Sequence, residues 1–312
     1  SSDLCSRARV SGLSSVAASK MPDRWHHARE IPSMVDLSEF RPEAREPMRH
    51  ALGVAPDEVL MGWVGRLDRK KRVEDFLAAA MRVAASHPQA RFVVIGGPDA
   101  FMPEYAHELH GRAHAAGLSH RMIFTGDRRD VPDLMAAMDG LCWLSVGEGM
   151  PHVIAEAGAA RLAVIATPDN GACEQIVDGQ SGLFVPYENP DAVAEAMLRL
   201  IRDPDLRGRL GAGLRAHVEA TYSAEVVVPQ WERLIAEVLD GLKAANSDEG
   251  NAAVEAAENW GTYVTVHAFT PAAIQRSIAA GVQCIEHGFL MDEATAKLIA
   301  DKGVWLSTQP LP

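Results

Sequence analysis

The sequence is poor in cysteine and has no long apolar run. Only four of its 312 residues are cysteines, and no two of them have C-x-x-C spacing: Cys5, Cys142, Cys173 and Cys284. Neither a zinc ribbon nor a disulfide framework is indicated, and a reducing cytoplasm is the default compartment. Charged residues or glycines interrupt every apolar run before the roughly 18 residues that a membrane-spanning helix needs, so none is expected.

Positive charge is also scarce. The chain has 30 Lys and Arg against 42 Asp and Glu, a formal net charge of -12. This balance argues against a nucleic-acid partner, because binding a phosphate backbone requires a surplus of basic side chains. The 47% hydrophobic and 23% charged residues are typical of a globular protein. The length allows about two domains.

Strand-like apolar runs alternate with helical periodicity through the middle of the chain. Residues such as Val73, Phe76 and Leu77 repeat at helical spacing, and Asn189 followed by Pro190 marks a helix start. This alternation predicts an α/β fold, a doubly wound parallel sheet of Rossmann-like type. The predicted strands are residues 60–64, 91–95, 122–124, 140–144, 163–166 and 182–185.

A second unit is predicted after a polar stretch of small residues. Residues 205–243 suggest two more helices, and residues 244–250 are the best linker candidate. The predicted domain bounds are therefore residues 1–50, 51–243 and 251–312, with the linker between the last two. The second unit is predicted to have helices at 252–260, 271–280 and 292–302, and strands at 263–268, 282–287 and 304–307.

A basic turn follows the first predicted strand. Gly65, Arg66 and Leu67 lead to Lys71, just before the helix that starts near Val73. Ligands of open α/β sheets bind beyond the carboxyl ends of strands, where a helix N-terminus favours anions. Arg66 and Lys71 are therefore expected to converge on a diphosphate. A merely solvated basic turn is the alternative.

An acidic loop follows the fourth predicted strand. Glu148 and Glu156 are separated by seven residues, and Pro151 suits the first turn of the helix between them. Backbone N–H groups around Gly149 and Met150 are free in this prediction to meet an anion. Alternatively both glutamates are solvated on a surface helix. His152 is assigned no chemistry, since a histidine in a helix is more often packed or solvated.

The order of these motifs resembles that of the retaining GT-B glycosyltransferases of the glycogen-synthase and sucrose-synthase type, also called glycosyl transferases group 1. Their signatures are a Gly-Arg-Leu-x-x-x-Lys turn and a Glu-x7-Glu motif. The resemblance covers residues 31–242. Further matches are Phe124, Thr125, Gly126, Asp139, Ser145, Gly171, Glu174, Asp178, Gly179 and Gly182.

The resemblance implies a role for each matching residue. Arg66 and Lys71 would neutralise the departing diphosphate of a UDP-, GDP- or ADP-sugar, while Glu148 would hold hydroxyls of the transferred sugar. Glu156 would accept hydrogen bonds from the ribose. The family needs no protein nucleophile, metal or other cofactor. The remaining donor-binding residues would be Gly65, Phe124, Gly126, Gly149, Met150 and Pro151.

The family also has an acceptor lobe of roughly 150 residues or more before the donor lobe. Here residues 31–42 resemble only the segment between the lobes, so residues 1–50 are interpreted as an interlobe remnant. The acceptor is unknown, and its lobe is expected to be missing or to come from a partner chain. We therefore expect this chain alone to bind donor far better than it turns over.

The last residues resemble a different family. His267 and Ala268 end one predicted strand, and Glu286, His287 and Gly288 end the next. Residues 251–312 thus resemble the middle of a metal-dependent amidohydrolase of imidazolonepropionase-like or prolidase-like kind, in which His267 and His287 would bind zinc. The family's other ligand strands are missing, so an incomplete metal site and a partial (β/α) barrel with exposed apolar surface are expected.

Several hypotheses remain open. The leading function is donor binding for glycosyl transfer; the others are a nucleotide-sugar sensor without catalysis and, if the tail is the active part, a zinc hydrolase. A two-lobed nucleotide-sugar epimerase ranks lowest. The joining of two partial families favours a chimeric or truncated reading frame over a designed bifunctional enzyme.

Overall fold

The computed structural model of the chain describes residues 31–244, 249–259, 261–288 and 290–307. The chain divides into two compact units between Trp231 and Glu232. Residues 1–30 of the predicted interlobe remnant and residues 245–248 of the predicted linker lie outside the described part. Each unit has a parallel sheet of its own.

The sheet of the first unit has six parallel strands in the order β3-β2-β1-β4-β5-β6. β1 pairs with β2 on one side and with β4 on the other. The order of the chain therefore reverses between β1 and β4, which makes this position the topological switch point of the sheet. All six predicted strands are present with small shifts at their ends. Their bounds are β1 Val59–Val64, β2 Ala90–Ile95, β3 Met122–Phe124, β4 Gly140–Trp143, β5 Ala163–Ala166 and β6 Leu183–Phe184.

Helices connect these strands, and several begin at the residues that the sequence indicated. Asn189 caps its helix by accepting a hydrogen bond from the Ala192 amide, with Pro190 in the first turn. Three 3-10 turns are described, Leu37–Glu39, Pro42–Ala44 and Arg69–Lys71. The helices are α1 Arg45–Ala51, α2 Val73–Ser86, α3 Pro103–Ala115, α4 Val131–Ala137, α5 His152–Ala159, α6 Asn170–Gln175, α7 Pro190–Arg202, α8 Pro204–Thr221 and α9 Ala224–Ala244.

Apolar residues on both faces of the sheet are buried, because side chains alternate along each strand. Met61 and Trp63 of β1 belong to one core together with residues of α2, α3 and α7. Leu60 of the same strand belongs to the other core, with residues of α4 and α5. Helix α8 contributes Leu210 to the first core and Leu214 to the second. The fold is the doubly wound α/β sheet that the sequence predicted.

A partly buried carboxylate attaches α1 to the amino edge of this sheet. Asp139, just before β4, accepts hydrogen bonds from Arg45 (2.7 Å), from Arg49 (3.0 Å) and from the Leu60 amide (2.8 Å). Arg49 is only 3% exposed and also donates to the carbonyl of Ala137. Asp139 therefore compensates a buried guanidinium, which explains why this position requires an acid.

Replacing Asp139 by alanine would leave Arg49 buried without its counter-ion. We expect this variant to lose about 3–5 kcal/mol of unfolding free energy, the usual cost of breaking one side of a buried pair. Asp133→Ala is the matched control, because Asp133 pairs with an exposed arginine, Arg41, and should cost less than about 1 kcal/mol. Urea titration of both variants checks this, and equal losses would contradict it.

The second unit has a three-stranded parallel sheet in the order β7-β8-β9, with a small core that includes Ile274, Ile285 and Ile299. Trp305 on β9 is 76% exposed. Helix enters both ends of the predicted linker, because α9 reaches Ala244 and the next helix starts at Glu249, and alanine and glutamate favour helix. The elements are α10 Glu249–Asn259, β7 Thr265–Ala268, α11 Pro271–Ala279, β8 Cys284–His287, α12 Glu293–Lys302 and β9 Trp305–Ser307.

Candidate functional site

Three glycines bring the carboxyl ends of β1, β2 and β3 close together. The Gly65 amide donates to the Ile95 carbonyl (2.9 Å), and the Gly96 amide donates to the Gly126 carbonyl (3.0 Å). Gly96 has φ +135°, and a Cβ there would lie 1.8 Å from the Gly65 carbonyl oxygen. Only glycine fits at Gly96 because of this close approach. Gly65, Gly96 and Gly126 therefore form a surface of backbone atoms at the strand ends, here called the glycine floor.

Arg66 extends from this floor towards the end of β2. Its side chain is 62% exposed, and its Nε lies 2.7 Å from Oδ2 of Asp99, whose side chain is only 7% exposed. Oδ2 of Asp68 lies 3.4 Å from Nη2 of the same guanidinium group. The sequence analysis did not name Asp99. The feature of the sequence that could have indicated Asp99 is its position after Gly96 and Gly97 at the end of β2.

Lys71 and Glu148 meet at the switch point. Nζ of Lys71 lies 2.8 Å from Oε1 of Glu148, and the two side chains are 23% and 25% exposed. Two backbone contacts support the pair: the Lys70 carbonyl accepts from the Val146 amide (3.0 Å), and the Lys71 carbonyl accepts from Nε1 of Trp63 (3.3 Å). The basic turn after β1 and the acidic loop after β4 are therefore in direct contact.

A buried aspartate holds the acidic loop. Asp169, after β5, accepts from the Glu148 amide (2.8 Å) and caps α6 through the Asn170 amide (2.8 Å). A Cβ on Gly171 would lie 1.8 Å from the Gly149 carbonyl oxygen, so α6 packs directly against the loop. Asp169 was absent from the predicted site. The Asp-Asn-Gly sequence after a strand was the signal for it.

Glu156 lies within α5, behind this loop, and is half-buried. Burial raises the pKa of its carboxyl, a shift that His152 opposes and Glu39 reinforces. Among the described residues, no hydrogen bond or ion pair to its carboxylate is formed. A desolvated acid without a donor is costly, and hydroxyl donors from a ligand would relieve that cost.

The predicted base-pocket residues lie at the edge strand β3. Phe124 packs its ring on that of His110, with centroids 4.0 Å apart. Gly126 has φ +67°, and Asp127 accepts a hydrogen bond from the Gly97 amide (2.8 Å). These residues border the same glycine floor as Gly65 and Gly96.

The structure thus brings only some of the predicted site residues into contact. Lys71 touches Glu148, and Gly65 touches Gly96 beside Gly126, whereas Arg66 pairs with Asp99. Among the described residues no hydrogen bond or ion pair joins Arg66 to Lys71, or Glu156 to Glu148. Gly149, Met150 and Pro151 lie together in the loop before α5. Their roles in ligand binding stay predictions.

A second cluster lies in the smaller unit. Nδ1 of His267 is 2.8 Å from Nε2 of His287, and Nε2 of His267 is 3.4 Å from Oε2 of Glu286. One ligand atom of each of these three residues lies within 4.8 Å of the others. Neighbours on a strand normally face opposite sides, but φ of +78° at His287 ends the regular strand there. Glu286 is an additional potential metal ligand that the sequence analysis did not name.

An α/β sheet of this strand order, with basic and acidic side chains across its switch point, defines a Rossmann-like domain of the GT-B class. The family model for glycosyl transferases group 1 matches residues 44–217, more than half of the chain. The chain belongs to that family. Among the described helices, none is both long and apolar enough to cross a bilayer.

Known relatives share this domain. The lipopolysaccharide core biosynthesis mannosyltransferase LpcC of Rhizobium leguminosarum is 32% identical over 192 residues, which are 61% of this chain and 54% of that protein. The crystal structure of Anabaena HepE with UDP and glucose is 26% identical with a TM-score of 0.62, covering 68% of this chain and 56% of that one.

One solved relative is a single domain. The C-terminal domain of the group 1 glycosyltransferase LpcC from Francisella tularensis is 29% identical with a TM-score of 0.56, covering 61% of this chain and 99% of that one. By contrast, the chain spans about half the length of the curated relatives that it matches.

The raised pKa of Glu156 predicts a pH-dependent effect of substitution. Because the folded chain binds this proton more tightly than the unfolded chain, the contribution of Glu156 to stability is greatest below its unfolded pKa of about 4.3 and is lost as the pH rises through the folded pKa. Glu156→Gln should therefore melt at a higher temperature than the unmodified chain at pH 7, with the difference vanishing below about pH 4. Exposed Glu195→Gln is the control. A lower melting temperature for Glu156→Gln at pH 7 would count against the desolvated carboxylate.

Proposed function

We propose that the first unit binds the diphosphate of a nucleotide-sugar as the donor lobe of a retaining glycosyltransferase. The contact between Lys71 and Glu148 is the observation that carries this proposal. It places a cation and an acid together at the carboxyl edge where the strand order reverses, the position at which open α/β sheets bind their ligands. The lysine of a merely solvated turn would be exposed, whereas the Lys71 side chain is only 23% exposed.

Each side chain has a task in donor binding. The Lys71 ammonium has three donors, so it binds a phosphate oxygen while keeping Glu148. Arg66, which is exposed above the glycine floor, supplies a planar fork to the same diphosphate. These fixed charges stabilise the diphosphate most as it leaves, when its negative charge is greatest. Arg66 and Lys71 are thus the proposed catalytic cations.

The two acids select the sugar groups. Glu148 accepts hydrogen bonds from hydroxyls of the transferred sugar, and Glu156 accepts them from the ribose. The amides near Gly149 and Met150 precede α5 and add donors for phosphate or sugar. In transfer with retention, the acceptor hydroxyl oxygen bonds to the anomeric carbon on the face from which the diphosphate leaves, and the bond from that carbon to the phosphate oxygen breaks. The leaving phosphate takes the hydroxyl proton, so this chain supplies no nucleophile and no cofactor.

The donor is proposed to be a UDP-, GDP- or ADP-sugar. The Anabaena relative was solved with UDP and glucose, and the Rhizobium relative is a mannosyltransferase. The segment from Phe124 to Asp127 is the proposed base pocket. We further propose that efficient transfer requires an acceptor lobe, since the first unit has the fold of a single C-terminal domain.

The test of the proposal removes one cation at a time. Lys71→Met should weaken binding of the preferred nucleoside diphosphate about tenfold or more, because a charge-assisted hydrogen bond is worth roughly 1.5–3 kcal/mol. Lys70→Met is the matched control, since Lys70 is the adjacent exposed lysine. Calorimetry with UDP, GDP and ADP measures both. Equal affinities of the two variants would refute the assignment.

A sensor and a transferase differ in a second measurement. When a relative's acceptor lobe is supplied with donor and acceptor, a transferase lobe forms glycosylated product, and product formation falls in Glu148→Gln. A nucleotide-sugar sensor binds the donor under the same conditions without forming product. Product would therefore exclude the sensor.

A metal site is a second candidate function, carried by the cluster of His267, Glu286 and His287. We propose that these residues bind zinc, which uses two histidines and a glutamate where it keeps a fourth position for water. The 2.8 Å between the two ring nitrogens must widen slightly to allow two zinc bonds of about 2.0–2.1 Å at a tetrahedral angle. Bound zinc would supply the Lewis acid of a hydrolase, as the resemblance to amidohydrolases implies.

Metal analysis of the dialysed full chain tests this second candidate. We expect one zinc per chain and a loss of most of it in His267→Ala, because removing one of three protein ligands weakens zinc binding strongly. His120→Ala is the control, since His120 is exposed in the other unit. Absence of zinc from the unmodified chain after reconstitution would remove the candidate.

A further inference from the structure

A cavity of about 410 Å³ opens on the first unit at the amino edge of the sheet, away from the proposed donor site. Its wall includes Asp139, just before β4, and Leu162, just before β5. We propose that this cavity binds the phosphate group of a small phosphorylated ligand. The arginines that line it are Arg41, Arg45, Arg161, Arg207 and Arg215.

The positive charge of this cavity is only partly compensated. Among the described residues that line it, Asp139 is the only acid, and it already binds Arg45 and the buried Arg49. Outside the wall, Asp133 pairs with Arg41 and Glu219 pairs with Arg215. Arginines still outnumber these acids, in a chain whose formal net charge is -12.

Neutral carbonyl groups fix three of the guanidinium groups in place. Arg45 donates to the Ala136 and Met138 carbonyls, Arg207 to those of Leu200 and Ile201, and Arg215 to that of Ala159. Carbonyls orient a guanidinium but do not cancel its charge. Since each arginine has five N–H donors, several of them remain available to an anion.

Arg161 is the residue least explained by the fold alone. It follows α5 with φ +60°, the left-handed position at a helix end where glycine is favoured. Its backbone N–H closes the helix on the Gly158 carbonyl, but among the described residues its side chain forms no hydrogen bond or ion pair. The hydrogen bond from Arg215 lowers the pKa of the Glu219 carboxyl, and the positive charge of Arg161 contributes to that shift. Arg161 is thus an exposed arginine at a strained backbone position, and it lines the cavity.

The shape and chemistry favour a small phosphorylated ligand. The volume of the cavity falls within the range of roughly 300–1,000 Å³ that is usual for small-molecule sites. Arginine forks bind phosphate oxygens in pairs, which makes them the preferred side chains for this group. Phe40, Pro42 and Leu162 add an apolar wall for the remainder of such a ligand.

Calorimetry of the full chain with inorganic pyrophosphate tests the proposal. Arg161→Gln should weaken binding at this site about tenfold or more, and Arg161→Lys should weaken it less because the charge is kept. Arg209→Gln is the matched control, since Arg209 is exposed on α8 and does not line the cavity. Arg41→Gln is a second variant of an arginine that lines the cavity. It leaves intact the hydrogen bonds that the other lining arginines donate to backbone carbonyls.

The same series separates this site from the donor site. The pyrophosphate binding that Arg161→Gln removes should persist in Lys71→Met. If either the cavity or the donor site does not bind, the other can therefore still be tested. Co-sedimentation with phosphatidylglycerol vesicles distinguishes a lipid headgroup from a free phosphate as the source of the anion. If Arg161→Gln and Arg209→Gln bind both pyrophosphate and vesicles equally, the proposal is overturned.

Discussion

The ion pair between Lys71 and Glu148 joins the two strand ends on which the rest of the proposed site depends. It spans the point where the strand order reverses, and it can form only because β1 and β4 are neighbours in the sheet. The glycine floor of β1, β2 and β3 lies on one side of this pair. The loop held by Asp169 lies on the other. A diphosphate at the pair would therefore meet backbone and charged side chains already held in place by buried contacts.

Local patterns in the sequence predicted what local chemistry determines. The apolar runs gave the strands, Asn189 and Pro190 gave a helix start, and the basic turn and acidic loop gave Lys71 and Glu148. Asp99 and Asp169 were missed, and Glu286 was named without a role as a ligand, because each acts through a partner that follows or lies on another strand. The pairing of strands must therefore be known first. The close approach of Gly96 to Gly65 is likewise visible only once β1 and β2 are side by side.

Charge is distributed unevenly between the two edges of the first sheet. At the carboxyl edge Lys71 pairs with Glu148 and Arg66 with Asp99, while the half-buried Glu156 has no hydrogen-bond or ion-pair partner among the described residues. At the amino edge Asp139 serves the fold by compensating Arg49. The other arginines that line the cavity at this edge are the ones on which the proposed phosphate site depends.

A crystal structure of the full chain with its preferred nucleoside diphosphate tests the central claim most directly. The account predicts that a phosphate oxygen lies within hydrogen-bonding distance of Nζ of Lys71, with Glu148 still beside it and the ribose hydroxyls on Glu156. A nucleotide bound elsewhere, with the pair between Lys71 and Glu148 far from any phosphate, would contradict it.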